Sequence, residues 1–181
     1  MLVNIRRPHK TDVGHLKELF EETINDIFDR EKISDDQLKQ GEIDEKMEFL
    51  LEDLNSNGKN RYFLVATVDG KIAGTIAVGK SNELITEATK GKLDEVVEIG
   101  TVYVHPNYQK LGIGMKMMNA MYITLLREDI TEFCMDSGYK SAQAIWTRKI
   151  GKPEYVNIDC WGEGNHHMVW HKQLEDIDIT L

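Results

Sequence analysis

The stretch from Leu93 to Gly114 constrains the fold more than any other part of the chain. Leu93 to Val104 reads as one long strand, stopped by His105-Pro106. Gly112 and Gly114 then open a helix with apolar residues at Ile113, Met117, Met118, Met121, Tyr122, Leu125 and Leu126, at helical spacing. A strand that turns into such a helix needs a sheet beside it and a layer to cover the apolar face, which means a mixed α/β domain. The first N–H groups of a helix have no internal acceptors, and its dipole favours anions there. Glycines in that turn let a phosphate approach the backbone closely. The spacing is not a Walker loop, because no Gly-Lys-Ser/Thr follows. Nor is it the dinucleotide fingerprint, since only Gly112-Ile113-Gly114 is present. Taken as a bare glycine pair, it suits tight packing as well as a phosphate cradle.

The remaining segments fit around this one. Val3 and Ile5 mark a short first strand. Thr11 or Asp12 is expected to cap a helix striped by Val13, Leu16, Leu19, Phe20, Ile24, Ile27 and Phe28. Ser34-Asp35-Asp36 starts a second helical stretch with Ile43, Met47, Leu50, Leu51 and Leu54, and Gly41 weakens its first half. Tyr62–Val68 and Ile72–Val78 flank Asp69-Gly70, a hairpin signal. Residues 80–92 read as a polar loop. A strand near Thr131–Met135, a helix over Lys140–Ile150 and strands near Glu154–Asp159 and His167–Leu174 complete the chain. Residues 1–175 are expected to form one domain, and residues 176–181 an acidic tail.

Composition narrows the partners. The chain has 181 residues, with 22 Lys+Arg against 31 Asp+Glu, a formal net charge of −9. That balance disfavours nucleic acid, which needs cations for its phosphates, and is compatible with a cationic partner. Two cysteines, Cys134 and Cys160, make no disulfide framework. No run reaches membrane-spanning length and the opening residues lack a secretory pattern, so a cytoplasmic protein that binds no membrane is expected.

The segment Gln109-Lys110-Leu111-Gly112-Ile113-Gly114, preceded by Val102-Tyr103-Val104-His105-Pro106, resembles the acetyl-CoA motif of the GNAT superfamily of N-acetyltransferases. Ala142–Gly151 is similar to that family's second conserved helix, and the element order agrees over nearly the whole chain. The resemblance implies an α/β (α+β) acyl-CoA N-acyltransferase fold. Its sheet would be mixed and mostly antiparallel, with six to seven strands and helices on both faces. It also implies acetyl-CoA as cosubstrate, no metal, and transfer to a primary amine by direct attack in a ternary complex. A monomer or homodimer is expected, acting on a small-molecule or peptide acceptor.

Carried over residue by residue, the family pattern gives the backbone of Val102 and Val104 to the pantetheine arm. The N–H groups of Gln109, Lys110, Leu111, Gly112, Ile113, Gly114 and Met115 would receive the pyrophosphate. A backbone N–H of Val102 or Tyr103 would polarise the thioester carbonyl. Glu98, eleven residues before Gln109, matches the position of a general-base glutamate in some members. A carboxylate inside an apolar strand is costly unless paired, so Glu98 should have a partner. The family's proton-donating tyrosine falls at Trp146, whose indole is no practical acid, and the usual asparagine falls at Tyr139. Tyr139 is therefore the candidate acid, with Cys134, Tyr103, Tyr155 and solvent as further options. Trp161, His166 and His167 fall where the family places its acceptor. An acyl-CoA-binding sensor without catalysis is the alternative that Trp146 leaves open.

Overall fold

A computed structural model describes residues 1–180. Seven strands and five α-helices follow one another as β1 (Val3–Arg6), α1 (Val13–Glu31), α2 (Asp36–Ser56), β2 (Tyr62–Val68), β3 (Lys71–Lys80), α3 (Glu83–Thr89), β4 (Val97–Val104), α4 (Ile113–Arg127), β5 (Glu132–Ser137), α5 (Lys140–Ile150), β6 (Tyr155–Asn157) and β7 (His167–Gln173). The strands form one sheet in the order β1-β2-β3-β4-β5-β7-β6. β4 and β5 are parallel, whereas β1–β2, β2–β3, β5–β7 and β6–β7 are antiparallel. This is the mixed, mostly antiparallel sheet expected from the sequence. Leu181, the last residue of the expected acidic tail, lies outside the described residues.

The described residues divide into two compact units. One comprises Met1–Val78 with Thr101–Ile123, the other Gly79–Gly100 with Thr124–Thr180. In the first, Asp69 (φ 50°) and Gly70 (φ 82°) make the tight β2–β3 turn, both with the positive φ that the Asp-Gly signal requires. α1 packs on α2, burying Leu16, Leu19, Phe20, Ile24 and Phe28 from the predicted stripe. α2 runs unbroken through Gly41, its start capped by the Asp35 carboxylate accepting from Leu38 N at 2.9 Å. Asp12 stands at the N-cap of α1, as expected, but its side chain caps no N–H of that helix. The Asp12 carboxylate turns away from the helix to take Arg6 and the His9 N–H, and a short 3₁₀ turn over Lys10–Asp12 leads into α1 instead. Met117, Met118 and Met121 are fully buried, as core residues of α4.

In the second unit, residues 80–92 are not a loop. β3 continues to Lys80 and α3 follows, with Asn82 Oδ1 accepting from Ile85 N at 3.1 Å as its cap. Lys90 takes left-handed φ, and Gly91 N bonds back to Thr86 O at 2.9 Å, closing the helix. Its seven residues bury only Ile85 and Thr89, too few to give a periodic signal. Leu93 joins Ile85, Cys134 and Val169 in a small core instead of extending β4, which starts at Val97. β6 is also shorter than the Glu154–Asp159 strand expected, because the chain turns from Ile158 onward.

Candidate active site

The expected cradle is local to the turn between β4 and α4. The Gln109 side chain closes that turn by donating Nε2–H to Val104 O at 3.1 Å, while its own N–H reaches Pro106 O at 3.4 Å. Lys110 (φ 63°) and Gly112 (φ 78°) take left-handed conformations that bring the backbone round into α4. The first helical bond runs from Lys116 N to Gly112 O at 3.1 Å. The N–H groups of Ile113, Gly114 and Met115 therefore precede the hydrogen-bonded ladder and have no acceptor within the helix. A Cβ at Gly112 would meet nothing within 4 Å, and one at Gly114 would only touch Val104 Cγ2 at 3.8 Å. Open space thus lies over both glycines, as a phosphate-binding turn requires.

β4 carries a backbone irregularity that the sequence reading missed. Thr101 sits at φ 52°, a costly conformation for a β-branched residue, on the order of 1–3 kcal/mol. Thr75 Oγ1 donates to Thr101 O at 2.9 Å and helps hold it. No inside–outside alternation runs through β4: Ile99 is buried, whereas Val97 before it and Thr101, Val102, Tyr103 and Val104 after it are all half-buried. The irregularity at Thr101 re-aims the peptide groups that follow it. Those are Val102, Tyr103 and Val104, the residues assigned to the thioester and pantetheine arm. The Tyr103 ring meets Phe20 edge-on at 5.9 Å, and burial, reinforced by Glu42 and Glu45, pushes its hydroxyl well above the usual phenol range.

Glu98, at the start of β4, has the partner its position demands. Its Oε2 accepts from Asn82 N at 2.8 Å and from Asn82 Nδ2 at 3.1 Å. The same amide donates to Asp136 Oδ2 at 3.1 Å, so one asparagine bridges two carboxylates. Glu98 lies opposite Cys134 in the β4–β5 register. Burial, and then Glu98 and Asp136, push the Cys134 thiol far up, and it donates to Val97 O at 3.5 Å. A thiol so placed is no nucleophile.

The other named residues sit as follows. Tyr139 is the N-cap residue of α5, half-buried, with its N–H donating to Ser137 Oγ at 3.1 Å. Trp146 is half-buried on the same helix. Trp161 is 49 % exposed, and its indole N–H donates to His167 Nδ1 at 3.1 Å. His167 is buried with both ring nitrogens engaged, its Nε2 lying 2.7 Å from Asp136 Oδ2. His166 Nδ1 accepts from Asp159 N at 3.0 Å. Among the described residues, no group of three or more His, Cys, Asp or Glu is placed to hold a metal ion. Sequence reasoning missed Asn82 and Asp136. Asp136 could have been found by the logic applied to Glu98, since it too interrupts an apolar strand, Phe133-Cys134-Met135.

Residues 22–151 match the model of the acetyltransferase (GNAT) family. No curated protein matches the chain. Similar solved structures include a GNAT-family protein from Desulfovibrio desulfuricans, at TM-score 0.73 and 17% identity over 96% of this chain and 99% of that one. The PaiA N-acetyltransferase of Thermoplasma acidophilum, solved with coenzyme A, gives TM-score 0.67 at 16% identity over 95% of this chain and 100% of its own. A ribosomal-protein-alanine N-acetyltransferase from Brucella melitensis gives TM-score 0.67 at 16% identity over 94% and 99%. At such identities these structures establish likeness of fold, whereas the family model spans well over half of the sequence. On that match, the chain belongs to the GNAT family of acetyltransferases.

Proposed function

We propose that the protein transfers the acetyl group of acetyl-CoA to a primary amine by direct attack in a ternary complex. The observation that carries this reading is the course of β4. Glu98, held by Asn82, is the second residue of the strand, which leads into a glycine turn with open space over its backbone. The N–H groups from Lys110 to Met115 receive the pyrophosphate of CoA, and Gln109 shapes the turn. Backbone groups of Val102 and Val104 pair with the pantetheine arm, and an N–H of Val102 or Tyr103 polarises the thioester carbonyl. The acceptor's ammonium gives a proton to Glu98, directly or through water. Its freed lone pair then forms the C–N bond as the C–S bond breaks. Tyr139 protonates the departing thiolate, and the second proton of the nitrogen returns to the tyrosinate, which leaves a neutral amide and free CoA thiol. Trp161 and His166 line the acceptor side, with His167 holding Trp161 in place. The acid excess of the chain suits a cationic acceptor.

Trp146 at the family's tyrosine position favours a second reading, an acyl-CoA sensor without turnover. Release of CoA thiol from acetyl-CoA separates the two. The amines to try are a polyamine, an aminoglycoside, a free amino acid, a lysine-containing peptide and a peptide with a free N-terminus. Turnover with at least one amine is expected. Glu98→Gln should then lower kcat at neutral pH by about 100-fold, with acetyl-CoA affinity kept within about twofold. Tight acetyl-CoA binding without turnover on any amine selects the sensor. Unchanged kcat in Glu98→Gln at saturating amine removes the base.

A further inference from the structure

Glu98 stands at one end of a chain of hydrogen bonds that begins at the surface. The Trp161 indole can only donate, so His167 Nδ1 is an acceptor and the imidazole proton lies on Nε2. That Nε2–H donates to Asp136 Oδ2 at 2.7 Å, which also receives Asn82 Nδ2 at 3.1 Å. Asn82 Nδ2 in turn donates to Glu98 Oε2 at 3.1 Å. The orientation of the Asn82 amide follows from its neighbours: two carboxylates face the NH₂ group, and the Ile85 N–H faces the oxygen. All five residues belong to the second unit.

Two carboxylates on either side of one amide repel each other, and the amide gives each a fixed donor. Capping α3 needs only Asn82 Oδ1, a task serine performs about as well. The two donations from Nδ2 are additional to that task. Further along, Trp161 lies directly over Gly138, where a Cβ would stand 2.7 Å from the indole nitrogen. The missing side chain at Gly138 thus makes room for the surface end of the chain.

We propose that Asn82 is a positioning residue for Glu98, its side-chain amide bridging the Glu98 carboxylate to the Asp136–His167–Trp161 chain. This rests on the reading of Glu98 as the base. The bridge holds the carboxylate in one place as it accepts the proton of the incoming amine, and so acts on kcat and not on cosubstrate binding. A serine there keeps α3 capped and keeps the backbone N–H of residue 82 on Glu98 Oε2, but it removes the amide donor that links Glu98 to Asp136 and fixes the carboxylate from a second side.

The test measures kcat, KM for acetyl-CoA and melting temperature, using acetyl-CoA with whichever of the five amines turns over fastest. Asn82→Ser should lower kcat about tenfold, with KM for acetyl-CoA within about twofold and melting near that of the parent protein. His167→Phe should lower kcat similarly, whereas His167→Gln, which keeps an N–H for Asp136, should recover most of it. In a Glu98→Gln background, Asn82→Ser should cost nothing further, because the group it positions is already gone. Parent kcat in Asn82→Ser, with loss only in Asn82→Ala, reduces Asn82 to a helix cap and overturns the proposal. So does an equal loss from Asn82→Ser with and without Glu98→Gln. Should Asn82→Ser fail to fold, equal kcat in His167→Phe and the parent protein still overturns it. Glu98→Gln with undiminished kcat removes the base reading itself, a different outcome from a low Glu98→Gln beside a normal Asn82→Ser.

Discussion

Asp12 receives both guanidinium nitrogens of Arg6, at 2.7 Å and 3.1 Å, and the His9 N–H at 2.7 Å. The Arg6 hydrogen bonds hold its carboxyl below the usual carboxylate range, against the opposing effect of burial, with the His9 N–H and the charge of Arg6 adding to the lowering. A carboxylate whose native pKa lies below its unfolded one stabilises the fold above the unfolded value, about 3.9, and loses that contribution as pH falls through the native value. Urea unfolding at about pH 7 and about pH 3 should therefore show a stability gap between the parent protein and Asp12→Asn that shrinks in acid. A gap that stays constant would mean that the Arg6 contact does not act through the charge of Asp12. Glu132, held low chiefly by its hydrogen bond from His171, obeys the same rule on β5. Thr101 is the opposite kind of residue, one whose backbone costs stability, and on the proposed reading that cost goes to aiming the β4 peptide groups at the cosubstrate.

α2 is tied to the strands beside it by a carboxylate that no periodicity could announce. Asp53 is fully buried, takes Arg7 at 2.5 Å and 2.9 Å, and accepts from Phe63 N at 2.6 Å. Arg7 also stacks 4.1 Å over Tyr62 and donates to Phe63 O at 2.9 Å. Arg7→Leu would leave that carboxylate uncompensated and should cost about 3–5 kcal/mol in chemical denaturation. Arg30→Leu, which breaks an exposed pair with Asp26 one turn away on α1, should cost less than about 1 kcal/mol. Similar losses in the two variants would refute the burial argument. The same contrast explains what the sequence made legible. The α1 and α4 stripes, the Asp-Gly hairpin and the glycine turn into α4 are written in neighbouring residues, where spacing and backbone preference speak directly. α3 hid among polar residues because so little of it is buried. The partners of Glu98 hid because Asn82, Asp136, Trp161 and His167 meet only in the folded chain, and no local pattern connects them.

For the whole molecule, a net charge of −9 and the polyanionic cosubstrate we propose make a sharp test of the proposed cradle. A basic surface would bind CoA through charge and weaken steeply as salt rises. Backbone N–H groups at a helix end act at short range, and raising salt also screens the long-range repulsion between an acidic protein and CoA. Acetyl-CoA at about 100 times its Kd should stabilise the native protein by about 2.7 kcal/mol. For a chain of this size that raises the melting temperature by about 5–10 °C. Gly112→Val should abolish the shift, because a β-branched residue cannot adopt φ 78° without rebuilding the turn and its side chain would fill the open space. The shift in the parent protein should persist from about 50 to 300 mM NaCl. A Gly112→Val protein that still shows the full shift would place the phosphates elsewhere. A parent shift that collapses with salt would mean that lysines, and not the turn's N–H groups, hold the cosubstrate.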